Sequence, residues 1–414
     1  MEKEKLKSFF RQTIDPEQHI ITINIVKAKA GVDINALAEM ISAEESVGSE
    51  AVFRGKESKY YTPAEETDEI RDQYAGKITR VEPAEDGYYW IDIAYPLVNI
   101  CQFTPNIPIL LTMIFGDHNG LSEVESCRLD DVIFPKEFLK DFKGPRFGVE
   151  GIRNIVGVKD KPLVGAIIKP NIGNSPERTA EICKELVSNG INFIKDDEIL
   201  VDVPICRLKD RIQHVSKVIG KNVIWASNIT TPTDRIRETA KFAIENGANC
   251  LMVNFLATGY DALRTLREDD SINVPIHTHR CGHDIFTRDP KNGVSMRVFA
   301  KLARISGADF VHIGNVSGDK TQAQVQDIKN TYDALLEPMH HIKPTMPVST
   351  RLVADEMARS YKTLGKDIVL AGCGGIYRHP MGKGAGVRSL VQAVEYLDSM
   401  PENPKEEFIR AKEI

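Results

Sequence analysis

Gly190-Ile191-Asn192-Phe193-Ile194-Lys195-Asp196-Asp197-Glu198 is a short apolar run that ends in one lysine and three acids. On a strand alternate residues share a face, so Lys195 and Asp197 point the same way. Glu198 follows where the strand runs out. A lysine beside three carboxylates at a strand end is costly unless something binds there. A hard divalent cation answers that cost, because Mg²⁺ wants oxygen ligands and keeps positions open for substrate. Taken alone, the stretch also reads as a solvated strand end with a local salt bridge. The surrounding sequence decides between the two.

Outward from this stretch, one pattern repeats. Pro162–Pro170 reads as a strand and Glu177–Ser188 as its helix; Asn192–Glu198 is followed by helix Leu208–Ile219. Six more pairs follow: Asn222–Asn228 with Asp234–Glu245, Asn249–Leu256 with Tyr260–Glu268, and Val274–Arg280 with Val294–Ile305. Then come Asp309–Asn315 with Thr321–Leu336, Met346–Thr350 with Ala354–Leu364, and Asp367–Gly374 with Gly386–Leu397. Glycines 190, 220, 247, 307 and 365 stand where helices stop before the next strand. Eight regular units predict an α/β fold with a closed (β/α)₈ TIM barrel. An open doubly wound sheet is the competing arrangement, but no Gly-rich dinucleotide fingerprint follows the first strand.

The N-terminal third is different. His19–Ala28, Gly76–Val81, Tyr88–Ala94 and Ser126–Phe134 read as strands, and Ile34–Ile41 and Pro108–Phe115 as helices. Glu44–Glu50 reads as a polar loop, and Arg54–Asp72 as irregular. The elements are mixed without regular alternation, which predicts a smaller α+β (ferredoxin-like) domain over 1–135. The barrel and a C-terminal helix then occupy 136–414. The chain has 414 residues, 42% hydrophobic and 27% charged, with a net charge of −6. No long basic run points to nucleic acid, and no apolar run approaches a membrane span. The charged start, Met1 to Lys7, lacks the apolar core of a signal peptide. Seven cysteines without a CxxC pair read as reduced thiols of a cytoplasmic protein.

In barrel enzymes the active site lies at the C-terminal strand ends. Polar residues collect there in six of the eight units: Lys169-Pro170-Asn171, Lys195 to Glu198, His277-Thr278-His279-Arg280, His312-Ile313-Gly314-Asn315, Ser349-Thr350-Arg351 and Cys373-Gly374-Gly375. One such end is commonplace; six on one rim are hard to explain as solvation. Lys169 faces the mouth. Arg280 with His312 makes an anion pair, since guanidinium suits a phosphate and imidazole adds a donor. Gly374-Gly375 lets backbone amides approach an anion, although a glycine pair is more often just a turn. His283 and His379 read as structural.

The stretch Gly190 to Glu198 resembles the signature of the RuBisCO large-subunit superfamily. Gly165 to Pro170, His277 to His283, Val311 to Gly314, Gly374 to Pro380 and the N-terminal Ala43 to Gly48 fall in the family's order. The resemblance covers nearly the whole chain. It implies that Lys195 reacts with CO₂ to give a carbamate, and that this carbamate, Asp197 and Glu198 hold Mg²⁺. It implies Lys169 as general base or acid, its pKa lowered in a cation-rich site, and His279 as a group touching substrate oxygens. Arg280, His312 and Ser349 are then phosphate ligands. Glu44 comes from a partner subunit, which makes the functional unit a homodimer with a shared active site.

The departures from the family matter as much. Authentic RuBisCOs carry a second lysine where this chain has Asn171. Their loop-six lysine falls on Asp319, unless a one-residue shift restores Lys320. Ser49-Glu50 replaces a Thr-Trp pair, Thr350-Arg351 replaces two glycines, Cys373 replaces another, and the N-domain asparagine falls near Met113. The changes fall on the groups for CO₂ addition and on the second phosphate pocket, which implies a RuBisCO-like protein (form IV). A carboxylate paired to Arg351 suits the altered pocket better than a second phosphate. The substrate class implied is a keto-sugar acid monophosphate, with 3-oxo-isoapionate 4-phosphate as the leading example, processed by decarboxylation or by transcarboxylation and hydrolysis. An enolase or isomerase acting on a methylthio-pentulose 1-phosphate is the alternative, with Met113 as its one apolar hint. A non-catalytic sugar-phosphate-binding paralogue is a third.

Overall fold

A computed structural model describes residues 13–48, 72–101, 106–318, 320–399, 401 and 403–413. Ser49, Glu50, Asp319, the Met1–Lys7 start and residues 54–71 of the irregular stretch lie outside them. The chain divides into two compact units, Met1–Asp141 with His283–Phe299, and Phe142–Gly282 with Ala300–Ile414.

The first unit is built on a five-stranded sheet. Its order is Gly293–Val294, Val124–Ile133, His19–Ala28, Tyr89–Pro96, Lys77–Pro83. The four longer strands pair antiparallel. With helices Ile34–Glu44 and Ile107–Phe115 they give the βαββαβ order of a ferredoxin-like domain. Asp33 and Asn106 start the two helices by accepting from the backbone amides of Ala36 and Ile109. The first helix runs three residues past the expected Ile41, to Glu44, because Ser42 and Ala43 are buried with Leu37, Ala38 and Ile41. The polar loop read from Glu44 therefore begins one residue later. Gly293–Val294 lies within the span expected to run into helix Val294–Ile305; it pairs instead with Arg128–Leu129, and the helix starts at Met296.

The second unit is the closed barrel of eight parallel strands. They are Leu163–Ile167, Phe193–Lys195, Ile224–Asn228, Cys250–Asn254, Ile276–His279, Phe310–His312, Met346–Leu352 and Val369–Gly372. Strand eight pairs with strand one to close the ring, Val369 opposite Leu163. Most strands are shorter than the sequence reading, because their polar ends turn out of the ladder at the rim. Leu163, Phe193, Ile224, Ala226, Cys250, Met252, Phe310, Met346, Val348, Val369 and Ala371 fill the interior. Helix Gly148–Val156 packs Ile152 and Val156 against that core. Asp309, just before strand six, is a buried carboxylate there: it accepts from the amides of Phe147, Gly148 and Ile276 and from Arg267 at 2.6–3.0 Å.

Candidate active site

Strand two delivers its acids to opposite sides. Asp196 turns away from the barrel axis and is fully buried. Its oxygens accept from Arg211 Nε (3.0 Å), Trp225 Nε1 (3.0 Å) and the Asn228 amide (3.1 Å). Arg211 spends its remaining donors on the carbonyls of Leu200, Val201 and Cys206. This closed network fastens the loop after strand two and has no capacity left for a ligand.

Lys195 and Asp197 share the inner face. Lys195 is 1% exposed, and its Nζ donates to the Asp196 carbonyl (2.9 Å) and to Glu198 Oε2 (3.3 Å). Burial pushes its ammonium below the usual lysine range; Glu198 and Asp197 oppose that without cancelling it. Burial pushes Glu198 up, but Lys195, a backbone amide and Lys169 outweigh it, and its carboxyl ends below the usual range. Both partners shift down because Lys195 is sealed off whereas the Glu198 side chain keeps 30% exposure. A buried amine held towards its neutral form is the form that can attack CO₂.

Lys169 follows strand one. Its Nζ donates to Asp197 Oδ2 at 2.7 Å and Asn171 Oδ1 at 2.6 Å. Its nearest charge is thus an acid, where the family resemblance implied cation-rich surroundings. Tyr377 holds the Lys169 backbone: its hydroxyl donates to the Ile167 carbonyl and accepts from the Lys169 amide. Asn228, at the end of strand three, donates to the carbonyls of Asp197 and Glu198 at 3.1 and 2.9 Å. Neither Tyr377 nor Asn228 stood out in the sequence. Asn228 was legible by the rim rule, which applies to strand three as to the other six.

His279 lies with its Nε2 3.6 Å from Glu198 Oε2. The Cys281 amide donates to its Nδ1 at 3.1 Å, so the neutral ring carries its proton on Nε2, facing the acid. The His312 ring stands 4.7 Å from that of His279 and 5.2 Å from that of His277. Burial holds His312 and His277 well below the ordinary histidine value, so both are neutral. His277 packs between Phe193 and Phe310 in the core.

The remaining expected residues fall as follows. Arg280 lies against Gly314, where an added Cβ would meet its guanidinium at 2.7 Å; the glycine makes room for it. Ser349 is fully buried, and its hydroxyl has no partner among the described residues. Met346 and Val348 face the interior, so alternation gives the next inward position to Thr350. A Cβ at Gly375 would meet the Leu352 carbonyl and the Val353 backbone, whereas at Gly374 it would meet only the movable end of the Arg378 side chain. Lys320 Nζ folds back onto Asn315 Oδ1 (2.8 Å) and the Ser317 carbonyl (3.1 Å), which puts a lysine at the mouth from this loop. Glu44 closes a helix of the first unit, and Met113 is buried in another.

The charges test whether Mg²⁺ suits the mouth. Two lysines, Lys169 and Lys195, face two acids, Asp197 and Glu198. Turning Lys195 into a carbamate changes its charge from positive to negative, and a divalent cation restores the balance. The donors are then all oxygens, as Mg²⁺ requires. Glu198, His279 and Cys281 also converge, with one potential ligand atom from each within 4.8 Å of the others. That mixed carboxylate, imidazole and thiol set suits a softer ion.

Comparison with known proteins agrees with this geometry. Residues 148–413 match the family model of the ribulose bisphosphate carboxylase large chain, catalytic domain, and residues 9–138 match that of its N-terminal domain. A ribulose bisphosphate carboxylase-like protein of Archaeoglobus fulgidus is 35% identical over 92% of this chain and 88% of its own length. A ribulose bisphosphate carboxylase of the same organism is 38% identical over 76% of each chain. Among solved structures, the octameric Rubisco of Pyrococcus horikoshii superposes with a TM-score of 0.88 at 29% identity, covering 99% of this chain and 96% of that one. A rubisco-like protein (MtnW) from Alicyclobacillus acidocaldarius superposes at 0.79 and 26% identity, covering 96% and 99%.

Proposed function

From the premise that the chain belongs to the ribulose bisphosphate carboxylase large-chain family, we propose that it is a RuBisCO-like enzyme (form IV) that forms an enediolate from a phosphorylated keto-sugar acid. The observation that supports this best is the convergence of Lys169 on Asp197 and of Lys195 and His279 on Glu198. Lys195 as its carbamate, Asp197 and Glu198 would hold Mg²⁺, which supplies Lewis-acid polarisation of a substrate carbonyl. Arg280 and His312 bind the phosphate and fix the sugar. Lys169 and His279 flank the reacting carbons, one on each side of Glu198 and Asp197. In the decarboxylation of a β-keto acid the bond to the carboxylate breaks and CO₂ leaves. The electron pair stays on the substrate as the enediolate. Lys169 Nζ or His279 Nε2 then returns a proton to carbon.

The preferred substrate is 3-oxo-isoapionate 4-phosphate, in sugar-acid catabolism. The active unit is a homodimer in which Glu44 of the partner subunit completes each site. Asn171, in place of a second lysine, leaves Lys169 as the only amine on this strand end, which disfavours carboxylation. The likeness to the MtnW protein favours one other reading, an enolase or isomerase acting on a methylthio-pentulose phosphate in methionine salvage. Incubation with Mg²⁺, bicarbonate and each substrate separates them. The proposal expects CO₂ release from the keto acid and no solvent-deuterium exchange on the thio-sugar. Exchange or isomer formation without CO₂ release would sink it.

A further inference from the structure

We propose that Arg351 is a specificity-determining residue, which with Lys320 forms an anion subsite for a substrate carboxylate at the outer ends of barrel strands six and seven. The proposal rests on the reading that the substrate carries a carboxylate as well as a phosphate.

The first observation is conformational. Arg351 sits at φ +67°, in the left-handed region. A side chain there brings Cβ too close to the following carbonyl oxygen, and glycine is the residue that takes this geometry freely. Strand seven slips its pairing with strand eight at this point, between Thr350 and Leu352. The bulge therefore needs a left-handed residue, and the chain supplies an arginine. Strain of this kind persists where something repays it. Among the described residues Arg351 makes no hydrogen bond or ion pair, and its side chain is exposed. The described residues do not repay the strain.

The second observation is electrostatic and independent of the backbone. Lys320 is half-buried beside the bulge. Asn315 joins the two: its Nδ2 donates to the Thr350 carbonyl at 2.9 Å while its Oδ1 accepts from Lys320 Nζ at 2.8 Å. Burial lowers the Lys320 pKa. Arg280, Arg351 and Arg359 push it further down, and Glu356 alone opposes them. That glutamate is already engaged with the Val353 amide at 3.0 Å. The charge of Arg351 also reaches Cys373 at the end of strand eight, which feels Lys169, Lys195 and Asp197 as well. So the guanidinium belongs to the field of the active mouth, in a cluster where Arg280, Arg351, Arg359 and Lys320 outnumber the one acid, Glu356, that opposes them among the described residues. Arginine presents two parallel donors to a planar carboxylate, and Lys320 keeps a donor beyond its two present partners. Asn315 acts here as a positioning residue, since it anchors Lys320 to the strand that bears Arg351.

The test is Arg351→Gly, because glycine removes the side chain and relieves the backbone together. The probes are 3-phosphoglycerate and glycerol 3-phosphate, which differ by a carboxylate in place of a hydroxymethyl group. Calorimetric titration of the full-length protein should show the carboxylate probe binding about tenfold more tightly, as a charge-assisted pair implies. In Arg351→Gly that ratio should fall towards one, with glycerol 3-phosphate binding unchanged and the thermal midpoint equal or higher. Lys320→Gln should lower the ratio in the same direction. Equal binding of the two probes to the parent protein, an unchanged ratio in Arg351→Gly, or a lower midpoint in that variant would each overturn the assignment. If the ratio collapses as expected but no keto-sugar acid phosphate yields CO₂, the subsite stands and the decarboxylation reading falls.

Discussion

Asp196 and Asp197 are neighbours on one strand, and they do opposite jobs. Asp196 meets Arg211, Trp225 and an amide in a closed, buried network. Asp197 meets Lys169 at the mouth, beside a second lysine, a second acid and an imidazole. Asp309 repeats the first pattern beside helix Gly148–Val156, with four donors around its two oxygens. Burial does not separate the two kinds of acid, since Asp196, Asp197 and Asp309 are all buried. What separates them is whether the network closes. A closed network fixes backbone; an open one, with an amine held off its ordinary pKa, can exchange its partners for a ligand.

The comparison can be broken by substitution. Glu198→Gln should lower turnover by about 10²-fold or more, because it removes charge placed for the reacting centre, while unfolding in urea shifts little. Asp196→Ala should do the reverse in kind: leaving Arg211 buried and unpaired costs about 3–5 kcal/mol, read as a lower urea midpoint. If both variants lost activity and stability alike, the division between open and closed networks would be false. A pH series sharpens it. The folded Lys195 pKa lies below its ordinary 10.5, so the unfolded chain binds that proton more readily. Stability should therefore rise as pH climbs towards 10.5 and fall as pH drops, and Lys195→Met should flatten that slope. The smallest effect is expected at the bulge, where Arg351→Gly should add about 1 kcal/mol through release of the left-handed strain.

The barrel was legible because eight strand–helix units repeat with glycine stops, and periodicity survives errors at the ends. The N-terminal sheet was legible except for Gly293–Val294, since two residues carry no periodic signal and their partner strand lies far back in the chain. That Lys169, Lys195, Asp197, Glu198 and His279 meet at one end of the barrel was legible from the rim rule together with the family resemblance. The roles of Asp196 and Tyr377 were not, because each depends on which way a side chain leaves the backbone. The same holds for Gly375, whose packing against Leu352 and Val353 is a tertiary fact. The sequence allows two registers for the loop-six lysine; Lys320 reaches Asn315, while Asp319 lies outside the described residues.

The central claim is that Lys195 is a latent anion, a buried amine held ready for CO₂. Carbon-13 NMR of the protein in ¹³C-bicarbonate, with and without Mg²⁺, tests it most directly. The account predicts a carbamate carbon resonance that strengthens with Mg²⁺ and is missing in Lys195→Met. No such resonance in the parent protein, or one that persists in Lys195→Met, would contradict it.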